Sequence, residues 1–150
     1  MSTFNSFKDQ SWQNRVNTLG DIAESKYDET AKVSFERYGL NRPAVSLRLL
    51  PLMIRHTPDY LTSHGLVEVQ GFGRSQLCHM KLDKLDALKQ WNKVFPVDLF
   101  WYDSLNDRTC QIPLKDFIKL IKNAQIKTFP EGHEYYAVPA ESVWESAKTS

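Results

Sequence analysis

The sequence predicts an α/β domain with a central mixed β-sheet flanked by helices. Three observations point there. The run "PVDLFWYD" is nearly continuous in apolar residues, as in a strand buried on both faces. Stretches before and after it carry apolar residues at helical spacing. Strand-turn-strand patterns lie around Ser63-His64-Gly65 and Asn106-Asp107. Helical and strand signals therefore interleave along one chain, which is the pattern of a sheet covered by helices. At 150 residues, without repeats or a Gly/Ser-rich linker, the chain reads as a single domain, 1–150, around one core.

In order, residues 1–10 are polar and read as a flexible arm. Helical signals run over 11–38 and stop at Gly39, with Pro43 beyond; Gly20 interrupts or begins the main helix. "AVSLRLL" (44–50) reads as a strand, and "PDYLTSHGLVEVQ" (58–70) as two short strands joined by a tight turn. "CHMKLDKLDALKQWNKV" (78–94) has helical spacing, "PVDLFWYD" (96–103) is the buried strand, and "RTCQIP" (108–113) its antiparallel neighbour. Pro113 opens a helix over 114–125, and "EYYAV" (134–138) reads as a last edge strand.

Hydrophobic residues make up 41% and charged residues 25%, ordinary for a soluble globular chain. No apolar run approaches the roughly 20 residues that span a bilayer, so no membrane partner is expected. The start, "MSTFNSFKDQ", lacks the basic-then-apolar order of a secretory signal, and the expected location is cytoplasmic. Cys78 and Cys110 have no partner at zinc-ligand spacing and read as small buried hydrophobes. A net charge of +1 gives no general attraction for nucleic acid, so DNA contacts must come from local patches.

Several charged residues fall where apolar ones are expected. On a helical wheel Ala23, Tyr27, Ala31, Phe35 and Tyr38 form one stripe about 120° wide, and Glu24 lies inside it, while Asp28, Glu29 and Glu36 lie opposite. A carboxylate near a helix start also suits the macrodipole, so a margin position accounts for Glu24 as well. In the next helix Leu82, Leu85, Leu88 and Trp91 define the apolar face, and Lys81 and Lys84 project toward its middle. Either they snorkel out of it or they reach a cluster of acids. Strand alternation offers that cluster: in "LVEVQ", Glu68 and Gln70 share one face, and a hairpin pairing lays Asp59 beside Glu68. Adjacent carboxylates repel unless a cation or proton joins them. Magnesium, which takes oxygen ligands and often only one or two carboxylates, suits such a pair; an exposed hairpin with ordinary surface acids gives the same pattern.

Together, "GDIAE", "TPDYL" and "LVEVQGFG" followed by "HMKLDKLDALKQWN" resemble the PD-(D/E)XK nuclease superfamily, over roughly residues 20–104. More narrowly the chain is similar to small bacteriophage nucleases of that superfamily, either head completion nucleases or Holliday junction resolvases. The resemblance implies a restriction-endonuclease-like core and a DNA nuclease dependent on Mg²⁺, with Mn²⁺ as the alternative ion. It implies Asp59 as the metal ligand of "PD", Glu68 at the "(D/E)" position, the Val69 carbonyl on the same metal, and Glu24 completing the site from the first helix. Gln70 stands where the motif has lysine. Glutamine orients water but carries no positive charge, and the resemblance implies that Lys81 or Lys84 restores it from the following helix. The implied catalytic residues are thus Asp59, Glu68, Gln70, Lys81 and Lys84.

Arg42, Arg48, Arg55 and Arg74 flank this stretch and are the candidates for DNA phosphate contacts. Lys115, Lys119 and Lys122 line one helix face, with Lys127 beyond, a basic stripe that reads as a solvated face or a DNA-backbone contact. His56 either meets a phosphate or sits at a strand end, and His64 lies in the turn. The implied partners are DNA and phage head proteins, in the host cytoplasm or associated with the virion, as a monomer for head completion or a homodimer for junction resolution. Because Gln70 weakens the motif, a non-catalytic DNA-binding or virion assembly protein on the same fold is the alternative, ahead of an unrelated α/β enzyme acting on a small molecule.

Overall fold

The computed structural model of the protein describes residues 19–39, 50–128, 130 and 132–149. The arm at 1–10, the predicted helical residues 11–18, nearly all of the strand predicted at 44–50, and Arg42 and Arg48 lie outside the described residues.

The first helix, α1 (Leu19–Thr30), buries Ala23 and Tyr27 and ends well before the predicted Tyr38. Residues Phe35–Arg37 form instead a short strand, β1. The apolar spacing 27, 31, 35 fits a helix, but Phe35 reaches the same core from an extended chain, edge-on to Tyr27 at 5.2 Å and to Tyr60 at 5.3 Å. Pairing with a neighbouring strand outweighs local periodicity. A one-turn helix, α2 (Leu52–Arg55), precedes β2 (Tyr60–Thr62) and β3 (Gly65–Phe72). These two strands form the expected hairpin, with Tyr60 opposite Val67 and Thr62 opposite Gly65. The Thr62 hydroxyl closes it by accepting the N–H groups of His64 and Gly65, each at 3.1 Å.

Residues predicted to begin a long helix at Cys78 form a strand first. β4 (Leu77–Lys81) alternates buried Cys78 and Met80 with more exposed neighbours, and α3 (Leu82–Val94) follows directly. Five residues at period 2 before a helix are easily absorbed into its pattern. β5 (Val97–Asp103) and β6 (Arg108–Pro113) pair antiparallel as expected, and α4 (Leu114–Ile121) starts after Pro113. It stops short of the predicted 125, where β7 (Gln125–Thr128) begins. β8 (Glu134–Pro139) is not an edge: it lies between β4 and β7, and α5 (Ala140–Thr149) follows it.

The central sheet is mixed, in the order β1-β2-β3-β5-β6, with β3 and β5 parallel and the other pairs antiparallel. The order β4-β8-β7 makes a second, three-stranded sheet. Alternation along β3 divides the core. Val67 and Val69 pack with Ala23 and Tyr27 of α1, whereas Leu66 and Phe72 join the larger cluster with Leu85, Leu88, Phe117 and Val143. Helix α1 lies close enough on β3 that a Cβ at Gly71 would come within 2.5 Å of the Leu19 carbonyl oxygen. The two cysteines are free and buried, as expected. Among the described residues no helix is long and apolar enough to cross a membrane.

Candidate active site

The acids singled out above meet where β2 and β3 diverge. Asp59 stands one residue before β2, and its Oδ2 accepts the N–H of Val69 at 2.8 Å. The Asp59 carbonyl accepts the N–H groups of Tyr38 at 2.8 Å and Gly39 at 3.2 Å, which locks the end of β1 to the same residue. A Cβ at Gly39 would come within 2.7 Å of the carbonyl oxygens of Thr57 and Pro58, so this approach requires glycine. A strand residue points its N–H and C=O to the same edge, so the Val69 carbonyl lies on the Asp59 edge of β3 as well.

Glu68 lies on the opposite face of β3 from Val69 and is only 5% exposed. Two donors converge on its Oε2: Lys84 Nζ at 2.9 Å, from the first turn of α3, and Gln70 Nε2 at 3.1 Å. Burial opposes the Lys84 charge, yet Glu68, and beyond it Asp59 and Glu24, hold the ammonium above the ordinary lysine range. Lys84 thus brings to Glu68 the positive charge that Gln70 lacks. Lys81 caps the start of α3 at the end of β4 and is exposed, opposite Tyr135 in register, so the two lysines of the predicted pair part company. Lys81 belongs to a strand, and the helical wheel does not apply to it.

Glu24 faces the site from α1, on the other side of the sheet. It is ion-paired with Arg37 Nη1, while Nη2 of the same guanidinium is 3.6 Å from Asp59 Oδ1. Arg37 is the site residue that sequence reasoning missed. A strand assignment for "FER" would have found it, because the register then sets Arg37 opposite Tyr60, next to Asp59.

Burial, then the charges of Glu68 and Glu24, push the Asp59 carboxyl well above the usual carboxylate range. A largely buried acid that resists ionisation beside two others marks a place where a further cation is stabilised. His56, at the end of α2, is driven down to about 4 by burial and by the charges of Lys84 and Arg55, so it is neutral at physiological pH. Arg55 donates to the Leu50 carbonyl at 3.2 Å, and Arg74 is exposed in the turn between β3 and β4. Lys115 and Lys119 of α4, Lys122 just past its end and Lys127 on β7 are all exposed, with Lys119 3.8 Å from Asp116.

Among the described residues no group of three or more His, Cys, Asp or Glu side chains stands ready-made for a metal ion. Arg37 and Lys84 take up the charge of the acids instead. The donor set itself, two adjoining carboxylates and a backbone carbonyl, fits a hard cation that completes its shell with water or phosphate oxygens.

No protein-family model matches the sequence, and no curated protein matches it. A solved structure of a nuclease from a fusselovirus aligns with 89% of this chain and 84% of its own, at 12% identity and a TM-score of 0.44.

Proposed function

We propose that the chain is a metal-dependent DNA nuclease that hydrolyses phosphodiester bonds. The observation that carries this reading is that Asp59 holds the Val69 N–H while the adjacent Glu68 carries Lys84, with burial and the charges of Glu68 and Glu24 raising the Asp59 carboxyl. Mg²⁺, or Mn²⁺, would be held by Asp59, Glu68 and the Val69 carbonyl, with Glu24 as the third acid. When bound, the cation acidifies a water and neutralises charge developing on the phosphodiester. Lys84 stands where its ammonium stabilises that charge, fixed in place by Glu68. Gln70 restrains the Glu68 carboxylate and offers its amide oxygen to orient a water. Arg55 and Arg74 are the described candidates for phosphate contacts that position DNA without reading its sequence. Processing of phage DNA, in head completion or recombination, is the role in which we place this activity.

Plasmid, linear and four-way-junction DNA incubated with the protein and Mg²⁺ test the reading. Cutting that stops with a chelator, and falls at least a hundredfold in folded Asp59→Ala and Glu68→Ala proteins, is the expected result; wild-type rates in those variants sink the assignment. One observation favours a second reading, a DNA-binding or virion assembly protein without hydrolysis: the acids are already paired with Arg37 and Lys84. DNA retention without cutting in Mg²⁺ or Mn²⁺ selects it.

A further inference from the structure

We propose that Arg37 is a built-in counter-cation of this site. Its guanidinium holds Glu24 and Asp59 together while no divalent ion is bound and is displaced from Asp59 when one enters, so the chain's own arginine sets the affinity for metal. The inference rests on the reading of Asp59 and Glu68 as metal ligands and deepens it.

The backbone fixes where Arg37 stands. It pairs with Tyr60 in the β1–β2 ladder, and the two residues after it donate their N–H groups to the Asp59 carbonyl. The side chain is therefore anchored beside Asp59 whatever its head does. That head is split between two acids. One end is closely paired with Glu24, whereas the Asp59 end, at 3.6 Å, is longer than the roughly 2.7–2.9 Å of a charge-assisted hydrogen bond. Arg37 Nε also donates to the Gly39 carbonyl at 3.3 Å, and the guanidinium lies 5.6 Å from the Tyr60 ring centre. The side chain is 31% exposed, so the head is in contact with solvent.

Mg²⁺ sits about 2.0–2.1 Å from its carboxylate oxygens, closer than a guanidinium approaches. It would take the Asp59 oxygen that Arg37 only loosely holds and repel the positive head beside it. Lys84 differs in both respects. It makes a 2.9 Å contact to Glu68 from the other face of β3, and the same oxygen is held by Gln70, so it stays when the ion arrives. Of Arg37 and Lys84, Arg37 is the displaceable one.

Mn²⁺ binding, followed by the paramagnetic resonance of the free ion in the absence of DNA, tests this on wild type, Arg37→Gln and Arg37→Lys, with Asp59→Asn to locate the site. If the arginine occupies the position about nine-tenths of the time, Arg37→Gln binds Mn²⁺ about tenfold more tightly than wild type. Arg37→Lys, whose single ammonium bridges the two acids less well, gains about threefold. The melting temperature of Arg37→Gln falls below wild type in chelator, and the gap closes at saturating Mn²⁺. Equal or weaker binding by both variants, with wild type still binding and Asp59→Asn not, overturns the role of Arg37 and leaves the metal site standing. Absence of binding in wild type and both variants overturns the metal site and this inference together. If Arg37→Gln does not fold, Arg37→Lys decides by the same signs.

Discussion

Asp59 is largely buried beside two other acids, and that environment favours its protonated form. Its carboxyl lies above the ordinary value in the folded chain, so the stability it contributes is complete below about pH 4 and is lost as pH rises through the folded value. Ionisation of Asp59 therefore opposes folding. Asp59→Asn keeps the acceptor for the Val69 N–H and removes the charge, and is expected to stabilise the metal-free protein by about 1 kcal/mol while abolishing cutting. Thermal melts at pH 7 and pH 3.5 check this, with the difference from wild type shrinking at the lower pH; a destabilised variant at pH 7 contradicts it. The shared face of Glu68 and Gln70 was legible because alternation along a strand needs no tertiary information, and Asp59 because the hairpin pairing sets it beside Glu68. Glu24 and Lys84 were legible as charges on apolar helix faces. Arg37 was not, since its partner strand, Tyr60–Thr62, is distant in sequence and a helical period covered it.

Among elements, α1 and β3 set the distance between the two faces of the site, and Gly71 governs their contact. An added Cβ there would meet the Leu19 carbonyl at 2.5 Å and the Ala23 side chain at 3.2 Å, and backbone cannot yield as a side-chain tip does. Gly71→Ala is expected to push the start of α1 off the sheet, costing about 1–3 kcal/mol and carrying Glu24 away from Asp59. Urea unfolding measures the first effect. Loss of the extra activity defect of Glu24→Gln in the Gly71→Ala background measures the second, and additive defects would mean that α1 has not moved. The hairpin, the doubly buried β5 and its partner β6 were read correctly because composition and turn residues agree there. β4, β7 and the central place of β8 were not, because β4 finds its partner β8 only about 50 residues on and each of the three short strands leaves only a brief alternation.

At the scale of the molecule, the two sheets are tied at Asp103, the last residue of β5, which is fully buried. Its carboxylate accepts from Gln76 Nε2 at 3.0 Å, the N–H of Leu105 at 3.0 Å, both nitrogens of Asn106, and Arg108 Nε at 2.8 Å. Arg108 continues to Glu141 on α5 at 2.8 Å and lies 4.3 Å over the Trp144 ring. The Gln76 carbonyl accepts the N–H of Ala140 at the start of α5, so one carboxylate links the β5–β6 turn, the approach to β4 and the last helix. Burial works against its charge, but the hydrogen bonds from Asn106, Arg108 and Gln76 outweigh it and hold the carboxyl down to about 2. A carboxylate depressed in the folded state contributes stability above its unfolded value, near pH 4, and loses that contribution as pH falls through about 2. Asp103→Asn turns an amide toward donors and leaves Arg108 with a buried contact unmatched, so a loss of about 3 kcal/mol is expected at pH 7. The loss should shrink between pH 4 and pH 2 as the wild-type carboxyl takes up its proton. Urea unfolding of both proteins from pH 7 to pH 2 is the measurement, and a gap that stays constant over that range, or is under about 0.5 kcal/mol at pH 7, would show that this carboxylate does not join the two sheets.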